Sequence, residues 1–198
     1  MDLTRIIVAS QNNGKIVEIK KLLEDLSLEV ISCLDGVKIP DVIEDQSTFE
    51  GNASKKALEI AEHLGFPALA DDSGLVVAAL GGKPGVHSSR FFGTHVDDSF
   101  RVKCLLELME EVPHGERDAK FVCVAAFATP EGDIVTKRGE CSGVILKAPA
   151  GDGGFGYDPI FFYPELDLTF AQMPGELKNR ISHRGIALKK MRDYFQSL

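Results

Sequence analysis

Two adjacent carboxylates, Asp71 and Asp72, interrupt an apolar stretch of the chain. Leu69-Ala70 precedes them, and Ser73-Gly74 separates them from the apolar run Leu75-Val76-Val77. Ionised carboxylates are rarely buried unless they are paired, hydrogen-bonded or bound to a metal. The pattern therefore predicts either an oxygen-ligand site for a hard cation such as Mg²⁺, with a Ser-Gly turn behind it, or an Asp-Asp-Ser-Gly surface turn.

A polar loop near the N-terminus has the composition of a phosphate site. It reads Ser10-Gln11-Asn12-Asn13-Gly14-Lys15 and joins a predicted strand to a predicted helix. Such a loop presents free backbone N–H groups and the positive end of the helix dipole, to which Lys15 adds a charge. The P-loop spacing is absent, and the alternative is an Asn-rich helix cap.

An acidic segment and a helix supply further candidates. Glu44 and Asp45 precede a predicted helix that contains Lys55 and Lys56. Glu44 could add a metal ligand to the one that Asp72 supplies, and Lys56 could face a phosphate. The alternative is a solvated acidic linker beside a solvated helix face.

A glycine-rich loop spans residues 151–159 and matches G-x-G-x-x-G only formally. A Lys-Ala-Pro segment precedes it instead of a buried strand, and Asp158-Pro159 follows instead of a helix, so we reject a dinucleotide site. The loop is better interpreted as presenting Phe155 for stacking on a base, with Asp158 as a hydrogen-bond acceptor. The alternative places Phe155 and Tyr157 in the core.

Lys178 and the segment Ser182-His183-Arg184 form the last candidate group. With Ser182 as N-cap, His183 and Arg184 fall in the first turn of the final helix, where the dipole does not favour cations. Donation to a purine carbonyl and to a phosphate would explain this placement, and a solvated pair is the alternative.

The elements that position these residues alternate in type. Apolar patterns predict strands at residues 5–9, 29–33, 121–129 and 134–138, and helices at 16–26, 49–64 and 98–112 and from about 182. Ser47-x-x-Glu50 predicts a capping box for the second helix, and Pro130-Glu131-Gly132-Asp133 predicts a hairpin. The mixed order indicates an α/β protein with a mixed sheet.

Composition sets the remaining limits. The chain has 198 residues, 44% hydrophobic and 26% charged, which predicts one domain, or one two-lobed domain, over residues 1–198. The longest apolar run is too short for a membrane span, and the N-terminus is not a signal peptide. Four dispersed cysteines favour reduced thiols in the cytoplasm. A net charge of −8 argues against nucleic acid as a partner but not against a small phosphorylated ligand.

Taken together, the motifs closely resemble the inosine triphosphate pyrophosphatase family over essentially the full length. The matching segments are Ser10-x-Asn12-x-x-Lys15, Thr48-Phe49-Glu50-x-Asn52-Ala53, Ala70-Asp71-Asp72-Ser73-Gly74-Leu75, Leu80-Gly81-Gly82-x-Pro84-Gly85, Gly153-Gly154-Phe155-Gly156-Tyr157-Asp158-Pro159 and Ser182-His183-Arg184-Gly185. The resemblance implies an elongated mixed α/β sheet flanked by helices, with two lobes, a central cleft and a homodimer. It also implies Mg²⁺-dependent hydrolysis of ITP, dITP and XTP to the monophosphate and pyrophosphate, which cleanses the nucleotide pool.

The resemblance assigns a role to each candidate residue. Asp72 is implied as the general base near Mg²⁺, Glu44 as the second metal-associated carboxylate, and Asp71 as its support. The implied substrate contacts are Ser10, Gln11, Asn12, Asn13, Gly14, Lys15, Lys56 and Ser73 for the triphosphate, and Phe155, Gly156, Tyr157, Asp158, Lys178, His183 and Arg184 for the base, sugar and remaining phosphate.

Two positions depart from the family pattern. Ser10 replaces a common Thr and keeps the hydroxyl, whereas Gly51 stands where many relatives carry Glu, which questions any metal-supporting role there. Two other functions stay open. One is a related pyrophosphatase for pyrimidine or modified nucleotides, and the other is a nucleotide-binding module without turnover, against which the paired acids and Lys15 argue.

Overall fold

The computed structural model describes residues 3–198, and these residues contain seven strands and five α-helices. The strands are β1 (Arg5–Val8), β2 (Glu29–Ile31), β3 (Ala68–Val77), β4 (Asp118–Ala128), β5 (Ile134–Ile145), β6 (Phe161–Tyr163) and β7 (Leu168–Thr169). The helices are α1 (Asn13–Leu22), α2 (Phe49–Leu64), α3 (Asp98–Leu108), α4 (Gly175–Ile181) and α5 (His183–Phe195).

The strands follow the order β2-β1-β3-β4-β5-β6-β7 in one sheet. β1 pairs in parallel with β2 and β3, whereas β6 pairs antiparallel with β5 and β7. Parallel neighbours need crossover connections and antiparallel neighbours do not, which fits the alternation of helices and hairpins along the chain. The predicted mixed α/β sheet is confirmed.

The chain divides into two compact units. The first contains the residues up to Asp72 together with Cys123–Gly139 and His183–Leu198. Its core joins β1, α1 and α5 through fully buried side chains such as Ile6, Ile16 and Leu188.

The second unit contains Ser73–Val122 and Glu140–Ser182. Its core includes a three-ring aromatic cluster of Phe121, Phe161 and Phe170, whose centroids lie 4.6 to 5.7 Å apart. Leu75 and Leu105 are buried in the same core. Strands β6 and β7 and helix α4, all in this unit, were not predicted, because their apolar patterns are only two to seven residues long.

Two local predictions are wrong. The cap of α2 is Thr48 instead of Ser47, and its side chain accepts the backbone N–H of Gly51. The third helical residue is therefore a glycine, which has no side chain to complete a capping box. The expected Ser73-Gly74 turn is also absent, because β3 runs without interruption through both carboxylates.

Other boundaries are close to prediction. α3 and α5 begin where the pattern placed them, while β5 extends to Ile145, beyond the predicted end at Arg138. Within residues 3–198, no helix is long and apolar enough to cross a membrane.

Candidate functional site

Asp71 and Asp72 lie in the middle of β3, with only 1% and 4% of their surface exposed. This burial excludes the surface-turn alternative. Successive side chains of a strand point to opposite faces of the sheet, so the two carboxylates meet different partners. Lys15 and Lys56 act on both carboxylates, whereas Arg184 acts on Asp71 and Glu44 on Asp72.

Asp71 is held by two cations. Lys15 Nζ lies 3.0 Å from its Oδ2 atom, and Arg184 Nε lies 3.3 Å from the same oxygen. Burial by itself would raise the pKa of Asp71, but the charges of Lys15, Arg184 and Lys56 outweigh it and hold that pKa well below its usual range. Asp71 therefore stays ionised and serves as the counter-charge of this cluster.

The pKa of Asp72 shifts in the opposite direction. Burial raises its pKa to about 6, helped by the nearby Glu44 carboxylate and opposed by Lys15, Lys56 and a hydrogen bond from Asn52. A carboxyl whose pKa lies near neutrality can accept a proton and release it again at physiological pH. Two neighbouring carboxyls with divergent pKa values are characteristic of acid–base sites.

The loop that leaves β1 is ordered by its own side chains. Asn12 caps α1, and its Oδ1 atom accepts the backbone N–H of Lys15 at 3.0 Å. Ser10 Oγ accepts the N–H of Asn12, and Gln11 donates to Asp41 Oδ1 at 2.8 Å. The start of α1 therefore places the Lys15 ammonium beside Asp71, at the helix end whose N–H groups and dipole favour an anion.

Helix α2 contributes Lys56, whose ammonium contacts Glu44 Oε1 at 2.5 Å. Burial lowers the pKa of Lys56, but the negative charges of Glu44 and Asp71 outweigh this effect and raise the pKa above its usual value. The ammonium group therefore stays charged. The predicted pair of Glu44 and Asp72 therefore lies within one electrostatic cluster. No group of three metal-binding side chains occurs among residues 3–198, and two carboxylates suffice for Mg²⁺ when water and substrate phosphates complete its shell.

The start of α5 lies against β5 because Gly139 has no side chain. A Cβ atom at Gly139 would lie 2.2 Å from the carbonyl oxygen of His183 and 2.6 Å from the N atom of Ala187. This close approach supports the first turn of α5, in which Arg184 also contacts Glu18 Oε2 at 2.5 Å. Arg184 is buried between two carboxylates. His183, the preceding residue, is also buried.

In the second unit, Phe155, Asp158 and Lys178 form a connected group. Asp158 Oδ2 accepts the backbone N–H of Phe155 at 2.9 Å and the Lys178 ammonium at 2.7 Å. The same ammonium lies 4.8 Å from the Phe155 ring centroid. Asp158 and Lys178 are both buried, so their first role is to fix the conformation of the glycine-rich loop.

Two further contacts hold this loop. Asp98, the first residue of α3, accepts the N–H of Gly156 at 2.7 Å. Tyr157 lies in the core and donates its hydroxyl to the carbonyl of Ser88 at 3.1 Å. A cavity of about 810 Å³, lined by α3 and the loop, has Phe155 in its wall.

Each predicted site residue belongs to one of the two units. The first unit contains Ser10, Gln11, Asn12, Asn13, Gly14, Lys15, Glu44, Lys56, Asp71, Asp72, His183 and Arg184. The second contains Ser73, which follows Asp72 on β3, and Phe155, Gly156, Tyr157, Asp158 and Lys178. The substrate contacts of these residues stay predictions.

The sequence patterns assign no role to Asn52, Glu18 or Gly139. Asn52 is a polar residue on the apolar face of α2, four residues before Lys56, and that position was the available signal. Glu18 follows Lys15 by three residues on α1 and therefore shares its face. Nothing local marks Gly139, because its role depends on a helix distant in sequence.

Comparison with known proteins decides the family. The sequence model of the Ham1 family matches residues 6–194. The chain belongs to the Ham1 family. Two Ham1 relatives named dITP/XTP pyrophosphatase are those of Geobacter sulfurreducens, 49% identical over 97% of this chain and 96% of that protein, and of Clostridium perfringens, 44% identical over 99% of each. The resemblance inferred from the motifs is thereby confirmed.

Solved Ham1 structures agree with the fold. The HAM1 protein from Coxiella burnetii superposes with a TM-score of 0.90 at 40% identity, covering 99% of this chain and 100% of that chain. The Ham1 protein of Staphylococcus aureus gives a TM-score of 0.86 at 38% identity, covering 98% and 99%. Both structural similarities therefore extend over nearly all of this Ham1 family member.

Proposed function

We propose that this protein hydrolyses deaminated purine nucleoside triphosphates, namely ITP, dITP and XTP, to the monophosphate and pyrophosphate. The observation that carries the proposal is the placement of Asp72, a buried carboxyl with a pKa raised to about 6, among Lys15, Lys56 and Glu44. The proposal is supported by relatives named dITP/XTP pyrophosphatase at 43–49% identity.

The proposed step begins with water. Asp72 takes one proton from the water molecule as the water oxygen forms a bond to the α phosphorus. The anhydride bond between the α and β phosphorus atoms breaks, and pyrophosphate leaves with the electron pair. Lys15 and Lys56 offset the charge that accumulates on the phosphate oxygens, which is the main requirement of phosphoryl-transfer chemistry.

Glu44 and Asp72 would hold Mg²⁺, and the cluster fits that ion. Glu44 and Asp72 repel each other enough to contribute to the raised pKa of Asp72. A divalent cation would relieve this repulsion, polarise the phosphate oxygens and lower the pKa of a bound water. Asp71 stays bound to Lys15 and Arg184 in this arrangement.

Base selection would rest on Phe155, His183 and Arg184. Stacking on Phe155 tolerates any purine. Side chains that donate hydrogen bonds toward the base would bind a 6-oxo group, which accepts them. They would disfavour the 6-amino group of adenine, because two donors would then face each other unpaired. Gly156, Asp158 and Lys178 would keep the loop in the conformation that presents Phe155.

We also propose a homodimer in the cytoplasm. The family resemblance supports the dimer, and the four free cysteines are consistent with a reducing compartment. Size-exclusion chromatography with light scattering measures the mass directly. A mass near 21.5 kDa would contradict the dimer.

A substrate panel tests the activity. Pyrophosphate release is measured from ITP, dITP, XTP, ATP, GTP and a pyrimidine triphosphate, each with Mg²⁺ and with EDTA. We expect fast cleavage of ITP, dITP and XTP, but not of the other nucleotides, and only in Mg²⁺, not in EDTA. Preferential cleavage of the pyrimidine nucleotide would reassign the base pocket, and thermal stabilisation by ITP without pyrophosphate release would indicate a binding module.

A further inference from the structure

Asn52 is a buried amide that joins two parts of the site in the first unit. It has 1% of its surface exposed and lies on α2. Its Nδ2 atom donates to Asp72 Oδ2 at 2.9 Å, and its Oδ1 atom accepts the backbone N–H of Gln46 at 2.9 Å. A backbone N–H can only donate, so the Gln46 contact fixes which end of the amide faces Asp72.

The segment before α2, which reaches Asn52 through Gln46, packs closely against Gly51 in this chain. A Cβ atom at Gly51 would lie 2.8 Å from Gln46 Cβ and 3.1 Å from Thr48 Oγ1. Such contacts would force the Gln46 backbone away from the helix. Glu44 lies only two residues before Gln46, so the position of Glu44 depends on the same docking.

Helix α2 also holds Glu44 from the other side. Lys56, one turn after Asn52, contacts Glu44 Oε1 at 2.5 Å. Residues four apart lie on one face of a helix, so this face fixes Asp72 through Asn52 and Glu44 through Lys56 and Gln46. The spacing of the two carboxylates is therefore set by α2.

We propose that Asn52 is a positioning residue, assisted by Gly51, that sets the separation and orientation of Asp72 and Glu44 for a divalent cation. This inference rests on the proposed function, in which these two carboxylates hold Mg²⁺. Mg²⁺ demands near-ideal octahedral geometry. Residues that orient metal ligands typically change metal affinity or activity by about 10–100-fold when mutated.

Calorimetry of ligand binding tests the inference without turnover. The probe is the α,β-imido analogue of dITP, and its Kd is measured with Mg²⁺ and with EDTA. For the wild-type protein we expect Mg²⁺ to tighten binding. For Asn52→Ala we expect this gain to shrink about 10–100-fold while the Kd in EDTA stays unchanged.

Gly51→Ala separates positioning from folding, because it removes no hydrogen-bonding group. A Cβ at position 51 would lie 2.8 Å from Gln46 Cβ, so a merely structural role predicts lower thermal stability with unchanged Mg²⁺ dependence. The inference predicts a loss of the Mg²⁺ gain that approaches the loss in Asn52→Ala. Glu59→Ala, at an exposed position of the same helix, is the control and should match the wild type.

The outcomes distinguish the two proposals. Wild-type Mg²⁺ dependence in both Asn52→Ala and Gly51→Ala overturns the positioning role and leaves the proposed function intact. A wild-type protein whose analogue binding ignores Mg²⁺ overturns the metal assignment and the positioning role together. Weaker binding of equal size in Mg²⁺ and EDTA would also contradict the inference, since it would place Asn52 in substrate binding instead.

Discussion

Asp72→Asn should stabilise the folded protein at neutral pH while abolishing turnover. Asn has nearly the same size as Asp, but it carries no charge that burial can penalise. In the metal-free protein, burial and Glu44 raise the pKa of Asp72 from 3.8 to about 6. The ionised carboxylate is therefore a cost of folding that the substitution removes.

The size and the pH range of this effect follow from linkage. Because the folded pKa is raised above the unfolded one, wild-type stability falls as pH rises from about 4 to 6 and stays reduced above that range. At about 1.4 kcal/mol per pKa unit, the change from 3.8 to about 6 corresponds to about 3 kcal/mol. We expect Asp72→Asn to be more stable by this amount at pH 7.5 and equal to the wild type below about pH 4.

Asp71→Asn is the matched control, one residue earlier on the same strand. Its removal leaves Lys15 and Arg184 without their shared counter-charge, and breaking a buried ion pair costs about 3–5 kcal/mol. The pKa of Asp71 is lowered, so its stabilising contribution is present above about pH 4 and is lost as pH falls further. We therefore expect Asp71→Asn to be less stable than the wild type at pH 7.5.

Urea unfolding in EDTA, followed by circular dichroism at several pH values, measures both differences. For a chain of this length, about 3 kcal/mol should also raise the thermal midpoint by about 6–12 °C. Destabilisation by Asp72→Asn at pH 7.5 would refute the reasoning, because it would mean that Lys15, Lys56 and Asn52 fully compensate the burial of the charge. A stability gain that persists unchanged below pH 4 would refute the pKa argument specifically.

Two further predictions concern the loop and α5. Phe155→Ala should raise KM about 5- to 160-fold with little change in kcat, as expected when about 1–3 kcal/mol of base stacking is lost from ground state and transition state alike. Steady-state kinetics with dITP measure this change, and a loss confined to kcat would argue against stacking. Gly139→Ala should displace the first turn of α5, cost about 1–3 kcal/mol and reduce kcat/KM at least tenfold, because a Cβ would lie 2.2 Å from the His183 carbonyl oxygen. Gly115→Ala, where a Cβ meets nothing within 4 Å, should leave both stability and kcat/KM near wild type, and equal effects at the two glycines would contradict the steric argument.

The strand and helix pattern of the chain was largely predictable from periodicity. Buried strands and amphipathic helices have characteristic spacings of apolar residues. From these spacings, the predicted positions of β1, α2, α3 and α5 lie close to the observed ones. β6 and β7 were missed, because a strand of two or three residues has no period to detect. The Ser73-Gly74 turn was wrongly expected because turn propensity is local, whereas β3 continues through pairing and burial that depend on distant residues.

The types of residue in the site were predictable from the sequence, but the contacts between their side chains were less so. Asp71 and Asp72 were recognised as chemically unusual, but their different environments depend on Lys15, Arg184 and Glu44, which lie far from them in sequence. The roles of Asn52, Glu18 and Gly139 are contacts made only in the folded protein. A sequence pattern identifies groups that need a partner, and the fold decides which partner each receives.

Phosphorus NMR of the reaction products shows which phosphoanhydride bond is cleaved and whether the cleavage needs Asp72. Wild-type protein and Asp72→Asn are each incubated with dITP and Mg²⁺, and the phosphorus-containing products are quantified over time. We expect equal amounts of dIMP and pyrophosphate from the wild type, and neither product from Asp72→Asn. Release of orthophosphate with dIDP would contradict cleavage between the α and β phosphorus atoms, and full turnover by Asp72→Asn would remove Asp72 from the role of general base.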